Sequence, residues 1–413
     1  MCGFIILTVI MNSKKNVKIS IILILFVIYF LPVETCLATD GNILYVGGVG
    51  SGNYTTIQDG IDHAEQGDTI YVFKGTYHEH IRLHKKINLV GEDKIYTILN
   101  YKGSNDTAYV TADGCTFSGF TICNNSNTSY SGINIQSNNN KITNNIIANN
   151  SGWGIYLYYS ANCTLANNAF IRDSINIVGN LPSWNTHTIK NNTVNGWGMD
   201  YYKNIDNQTI SGDFGQIILA NCTNFTIKNT SISNADQAIV LGFSSNNSIV
   251  NTSISNSTYG IRLQYASENT ITGNTIENND YGIYVTHSFN NNISENNVYS
   301  NNVFGCWICC SSNGNTIYLN NFTSNKASAY DAINNQWYQN CKGNNWSDYE
   351  GLDEDNNGIG DTPYNILPDG RNQDLYPVVY LKSNNKENKT YGFEIILSIC
   401  AAFVVILWKK KLR

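Results

Sequence analysis

Proline is scarce in this chain of 413 residues, at 5, and charged side chains make up only 14%. Few prolines exclude a stiff extended spacer, and few charges exclude the highly charged composition of a solvated tail. The net charge is −6. With no Lys/Arg cluster inside the body there is no basic footprint for a phosphate backbone, so nucleic acid is not an expected partner. Uninterrupted apolar runs are confined to the two ends.

Between those ends Asn, Ser, Thr, Ile, Gly and Tyr dominate, and apolar residues punctuate the polar ones at fixed intervals. Gln216-Ile217-Ile218-Leu219, Ala238-Ile239-Val240-Leu241, Gly260-Ile261-Arg262-Leu263 and Gly282-Ile283-Tyr284-Val285 recur every 22 residues. A second motif keeps the same step: Ile227-x-x-Thr230-x-Ile232, Ile249-x-x-Thr252-x-Ile254, Ile271-x-x-Asn274-x-Ile276 and Ile293-x-x-Asn296-x-Val298. It extends upstream through Ile142-x-x-Asn145-x-Ile147, Leu165-x-x-Asn168-x-Phe170 and Ile189-x-x-Asn192-x-Val194, and downstream to Ile317-x-x-Asn320-x-Phe322. Each unit reads as short strands of alternating polarity, too short to bury anything alone, that pair in parallel with the same strands of the next unit. The expected fold is therefore all-β, a single-stranded right-handed parallel β-helix. The motif Asn is expected at a bend, in an internal ladder that satisfies its amide, with Thr230 and Thr252 weakening it.

The ends need caps, because an open parallel stack exposes unpaired edges. Residues 54–64 read as a short amphipathic helix, and 67–72 as the first strand. The expected organisation is a signal peptide at 1–38, an N-terminal cap with the first coils at 39–110, and repeats at 111–330 interrupted by an insertion at 195–214. A C-terminal cap at 331–380, a linker at 381–391 and a membrane anchor or sorting tail at 392–413 complete it. Lys14, Lys15 and Lys18 precede an apolar stretch at 19–31, which is the pattern of an export signal. Met11 offers a second start. At the other end the apolar run 393–408 is closed by Lys409, Lys410 and Lys411, so the body is expected outside the cell.

Tyr391-Gly392-Phe393-Glu394 followed by that run resembles the PGF-CTERM sorting signal of archaeal surface proteins, with Tyr391 where the family has Pro. The cap at 54–79, Val90-Gly91-Glu92 and Cys115 to Ile122 resemble the opening coils of pectin-lyase-type β-helices. Together with Tyr201-Tyr202-Lys203-Asn204 and the tail Asp355-Asn356-Asn357-Gly358-Ile359-Gly360-Asp361, they resemble archaeal NosD-like proteins that carry a carbohydrate-binding and sugar-hydrolysis (CASH) β-helix domain, over roughly residues 42–380. The resemblance implies a surface protein whose partners are polysaccharide or other cell-envelope components. A family role in copper handling is a further implication. Copper sites take thiolate, thioether or imidazole ligands, whereas Met199 is the one methionine of the expected mature chain and His63, His78, His80, His84, His187 and His287 are scattered. Copper is not an expected cofactor.

The candidate sites lie outside the motif. Outward positions of the first strand carry Asn134, Tyr156, Ile218, Val240, Arg262, Tyr284 and Trp307, with Gln136, Tyr158, Gln264 and Thr286 two residues on. Tyr156, Tyr158, Arg262, Gln264, Tyr284 and Trp307 are the candidate sugar-binding residues, expected as one continuous strip on which sugar rings stack. The plain alternative is an exposed sheet covered by residues of high β-propensity. Catalysis would make the chain a polysaccharide lyase or glycoside hydrolase. Its candidates are Asp236 and Asp280, two coils apart, at about 10 Å by strand spacing, with Thr258 between them. Asp353, Asp355, Asn357, Ile359 and Asp361 match the opening of a calcium loop, with Asp374 a candidate to complete it. In Cys306-Trp307-Ile308-Cys309-Cys310, Cys306 and Cys310 are expected inward and Cys309 outward, and pairing with Cys341 is open. Cys163 and Cys222 are expected as packed thiols. Sequons at Asn53, Asn162, Asn221, Asn256, Asn292 and Asn345 would accept glycans on an exported chain.

Overall fold

The computed structural model describes residues 6–12, 18–24, 41–123 and 130–379. Within the unit 1–41, Ile6–Asn12 pairs antiparallel with Lys18–Ile24. The remainder of the expected export signal, the linker at 381–391 and the tail at 392–413 lie outside the described residues. Among the described residues no helix is long and apolar enough to cross a membrane.

From Asn42 onward the described residues wind as a parallel β-solenoid, with two short helices among them. The first helix, Ile57–His63, lies inside the stretch expected to be helical. Its N-cap Thr56 accepts the Asp59 N–H at 3.1 Å, and it buries Ile57 and Ile61 over the first strands. Three sheets build the first stack. One has seven strands, from Ile43–Val46 to Thr188–Lys190, and one has five, from Ile81–Leu83 to Ile175–Val178. The third is the first part, Gly75–Tyr77 to Asn192–Val194, of a sheet of 13 strands. Equivalent residues stack in register, as Phe117, Ile142, Leu165 and Ile189 do, and all are buried.

At Asn195 and Gly196 the chain reverses. Their φ angles are 52° and 86°, the left-handed pair of a tight Asn-Gly hairpin, and Asn192–Val194 pairs antiparallel with Trp197–Lys203. The segment 195–214 is therefore not an insertion that interrupts one series. It is the hairpin plus the first coil of a second stack, in which Trp197–Lys203 pairs with Gln216–Ala220 and Thr209–Asp213 pairs with Thr226–Ser233, both in parallel. From there Ile217, Ile239, Ile261 and Ile283 follow in register, as the 22-residue step requires.

Two apolar cores result, and the sheet of 13 strands lies between them. Ile217, Leu219, Ile239 and Leu241 belong to the second core, whereas Ile218, Ala220 and Val240 pack with Met199 into the first. The strands Gln216–Ala220 and Gln237–Gly242 are consequently buried on both faces along their whole length. Ile218 and Val240, expected in a solvent-facing strip, instead close the end of the first stack. The ring of Trp184, in the helix Leu181–Asn185, lies against Gly242 where a Cβ would have to stand. Gly242→Ala is expected to cost about 1–3 kcal/mol. The readout is the urea midpoint, and an unchanged midpoint would mean that Trp184 has room to yield.

The bends explain the abundance of Asn. In doublets such as Asn144-Asn145, Asn246-Asn247 and Asn290-Asn291 the first residue sits at φ 57°, 57° and 56°, a conformation Asn tolerates. The second turns inward. Asn145, Asn168 and Asn192 form the expected ladder in the first stack, and Asn274, Asn296, Asn320 and Asn344 in the second. Thr252 ends the latter, donating its N–H to Asn274 Oδ1 at 2.9 Å. Two further ladders were not expected: Asn247, Asn269, Asn291, Asn315 and Asn335, and Asn279, Asn301 and Asn325. Each amide donates onward, so a terminal amide needs a pure acceptor. Asn335 donates to Asp331, Asn344 to Asp374 and Asn150 to Asp173.

Candidate functional site

Beyond Val240 the outer face of the 13-stranded sheet extends past the end of the first stack and meets its side. Arg262 marks the meeting line. It stands between core residues Ile261 and Leu263, so it points outward, and its Nη1 donates to Asn176 Oδ1 at 2.8 Å and to Gln237 Oε1 at 2.9 Å. Asn176 stands between core residues Ile175 and Ile177 of the five-stranded sheet, so it too points outward. Two outward faces in contact make a re-entrant corner. Trp153 of the first stack stacks on Tyr259 of the second at 5.7 Å, which carries the junction along one rim.

One wall is the five-stranded sheet, where Asn134, Tyr156 and Asn176 are register partners and Tyr158 lies two residues beyond Tyr156. The rings of Tyr156 and Tyr158 are 5.5 Å apart, and Tyr158 is 38% exposed. The other wall carries two parallel files of rings. Tyr259, Tyr281 and Phe304 stack at 5.1 and 6.4 Å. Arg262, Tyr284, Trp307 and Tyr330 are partners in the neighbouring file, with Trp307 and Tyr330 stacked at 4.0 Å. Edge-on contacts lock the files together, among them Tyr281 to Tyr284 at 5.4 Å and Phe304 to Trp307 at 4.6 Å. The result is a rigid aromatic platform.

Polar groups at the vertex are incompletely satisfied. Arg262 is 9% exposed and Gln264 6%, and Arg262 Nε, Gln264 Oε1, Gln237 Nε2 and Asn134 Oδ1 are buried without a hydrogen-bond partner. The guanidinium lies over Tyr259 and Tyr284 at 5.6 and 6.0 Å. Burial holds it below its ordinary pKa and pushes the Tyr259 and Tyr284 phenols up, and burial with the nearby Tyr158 raises Tyr156 to about 12. All three phenols are neutral at ordinary pH.

The structure thus brings Tyr156, Tyr158, Arg262, Gln264, Tyr284 and Trp307 together, but as two walls and a vertex rather than one strip. Sequence reasoning missed Tyr259, Tyr281, Phe304 and Tyr330. The first three precede the glycine of the repeat in successive coils, a recurrence that could have found them.

Asp236 and Asp280 line a polar pocket of about 370 Å³ with Arg172. Asp236 Oδ2 accepts the N–H of Ser174 at 2.7 Å and of Gly154 at 3.1 Å, and Asp280 Oδ1 accepts Asn302 Nδ2 at 3.2 Å. In the acidic tail loop, Asp353 accepts from the N–H groups of Asn357 and Gly358, Asp355 from Asn357, and Asp361 from Glu354; Ile359 donates its own N–H to Asn357 Oδ1 at 2.8 Å. Asp374 does not complete that loop. It is buried in the cap, accepting from Asn344, Trp346 and Tyr376.

Cys306 is buried as expected and Cys309 half-buried, but Cys310 is exposed. The strand ends at Cys309, and the φ of 58° at Cys310 breaks the alternation that would have turned it inward. Cys163 and Cys222 are buried free thiols, and Cys341 is free and exposed. His187 is buried, with its pKa lowered to about 4 by that burial, and its Nδ1 accepts the Cys163 N–H at 3.1 Å. His287 stacks on Tyr265 at 4.7 Å. Among the described residues no group of three or more His, Cys, Asp and Glu side chains converges as a metal site.

Residues 200–351 match the family model described as periplasmic copper-binding protein (NosD). The matched stretch lies in the second stack, which carries the aromatic platform, so that part of the chain resembles the family. No curated protein matches it. Among solved structures it is similar to pectin methylesterase from carrot, at 14% identity over 62% of this chain and 83% of that one, with a TM-score of 0.34. It is also similar to the A-module of mannuronan C-5 epimerase AlgE4 from Azotobacter vinelandii, at 13% over 73% and 99%, TM-score 0.36. A third is the GH136 lacto-N-biosidase from Eubacterium ramulus, at 9% over 74% and 67%, TM-score 0.38.

Proposed function

We propose that this chain is an exported, surface-anchored protein that binds polysaccharide in the corner between its two stacks, without acting on it. The observation that carries the reading is the double file of rings facing Tyr156 and Tyr158, with buried donors and acceptors unpaired at its base. Sugar rings present apolar faces to such a surface and hydroxyls to its polar floor. Export rests on the basic and apolar N-terminal pattern, and on a family description that names a periplasmic protein. Anchoring rests on the apolar run at 393–408 and the lysines after it.

The copper role in that description is left out of the proposal, because among the described residues no three His, Cys, Asp or Glu side chains converge, and Cys309 and Cys310 stand as a pair of thiols 2.7 Å apart. Met199 is in the first core, His187 is buried and hydrogen-bonded, and Cys306 is in the second core. A calcium ion in the acidic loop remains part of the proposal, held by Asp353, Asp355, Asn357, Asp361 and the Ile359 carbonyl.

Trp307→Ala and Tyr284→Ala are each expected to weaken glycan binding by about 2 kcal/mol, roughly thirtyfold in Kd. Tyr96→Ala, at a ring 59% exposed elsewhere, should leave it unchanged. Titration of an oligosaccharide panel by calorimetry measures all three. Equal losses for all three, or none, would remove the corner from the reading.

A further inference from the structure

Arg262 is a buried cation without an anion. The ion pairs among the described residues join Lys74 to Glu92 and Asp93, and Arg371 to Asp369. Around Arg262 stand the amide oxygens of Asn176 and Gln237 on Nη1, the phenols of Tyr156, Tyr259 and Tyr284, and the Cys309 thiol, whose burial raises its pKa and keeps it neutral. None of its hydrogen bonds uses Nε or Nη2. The unused edge is therefore the side-on fork that a planar oxyanion fits with two parallel hydrogen bonds.

Holding a guanidinium out of water with no counter-charge costs several kcal/mol unless something offsets it. Two amide oxygens and the faces of Tyr259 and Tyr284 offset part of that cost, but among the described residues no carboxylate pairs with it, and a net charge of −6 supplies no general attraction for anions. A ligand that carries its own carboxylate would supply the missing charge at that edge, while its ring lies on Tyr284 and Trp307. A neutral sugar would leave the cation unpaired.

We infer that the corner selects an acidic saccharide, a uronic-acid polymer, whose carboxylate pairs with Arg262 and whose hydroxyls meet Gln264, Gln237 and Asn134. This inference rests on the polysaccharide reading above and adds the chemical class. Calorimetry with the full chain tests it, using hexagalacturonate, hexamannuronate and the same hexasaccharides with their carboxyl groups reduced to alcohols. A charge-assisted pair worth about 1.5–3 kcal/mol predicts that at least one uronide binds roughly tenfold to a hundredfold tighter than its reduced form.

Arg262→Gln, checked for folding by circular dichroism, should bring that ratio close to one, with the uronide and its reduced form compared within the variant. Arg262→Lys, which keeps the charge but not the fork, should retain part of it. Equal binding of the uronides and their reduced forms to the wild-type chain overturns the inference and leaves the polysaccharide reading standing. Selectivity that survives in Arg262→Gln overturns the role of Arg262. No binding of any of these oligosaccharides overturns the inference, and if a broader neutral panel also fails, the polysaccharide reading falls separately.

Discussion

Asn296→Ala is expected to destabilise the second stack by roughly 3–6 kcal/mol, a large share of the 5–15 kcal/mol typical of a folded domain. Asn296 is 1% exposed and sits in the middle of its ladder. Its Oδ1 accepts the Asn274 N–H at 3.0 Å and the Asn274 Nδ2 at 2.9 Å, and its Nδ2 donates to Asn320 Oδ1, Ile271 O and Ser294 O at 2.9 to 3.0 Å. Alanine leaves two donors of Asn274 and the extra bond of Ile271 O unmade, in a place water cannot reach. Each buried unsatisfied group costs about 1–3 kcal/mol. Asn296→Asp keeps the acceptor for Asn274 but loses every donor, so it should be similarly disruptive. Asn234→Ala, at an exposed bend where φ is 58°, should cost only the strain of alanine in the left-handed region, about 1–2 kcal/mol. Urea unfolding followed by far-UV circular dichroism ranks the three. A loss under about 1 kcal/mol for Asn296→Ala would mean that the ladder relaxes around the gap, and that the apolar stack alone holds the coils.

What the sequence made legible was whatever repeats. The 22-residue step predicts strand, register, inward Ile and one Asn ladder, because each depends only on the coil before and the coil after. The turn between stacks does not repeat, and its evidence was local: Asn195-Gly196 between strands, then Ile218 and Val240 in positions where the next coils carry Arg262, Tyr284 and Trp307. Two apolar residues in a row of outward positions meant a second buried face. The corner was illegible for a different reason. Arg262 bonds to Asn176 across 86 residues, and no periodicity links two surfaces that meet once. The carboxylates that end the ladders also break the pattern, so Asp173, Asp331 and Asp374 read as ordinary polar residues. Asp374 accordingly reads as a calcium ligand, whereas it is the acceptor that the terminal amide of Asn344 requires.

The strongest pH effect is expected at the joint between the stacks. Burial pushes Asp173 up to about 7, opposed by the side-chain and backbone N–H groups of Asn150. Burial, and then the charge of Asp173, raise Asp236 well above the ordinary carboxylate range, opposed by the N–H groups of Gly154 and Ser174. The folded chain therefore holds a proton that the unfolded chain, with carboxylates near 4, has released. Stability from this pair is full below about pH 4 and is lost as pH rises through about 7. Asp173→Asn should flatten that slope. An amide at 173 can accept both Asn150 donors through one oxygen, as Asn168 does for Asn145, and can donate onward to Asp236. The variant should then be more stable than the wild type at pH 8 and close to it at pH 4. Parallel pH curves for the two proteins would place the proton elsewhere. Because Asp236 ties the second stack to Gly154 and Ser174 of the first, the loss above pH 7 is expected as a loosening of the joint. Tryptophan fluorescence from Trp153, stacked on Tyr259 at the same joint, should report it before the far-UV signal of the sheets changes.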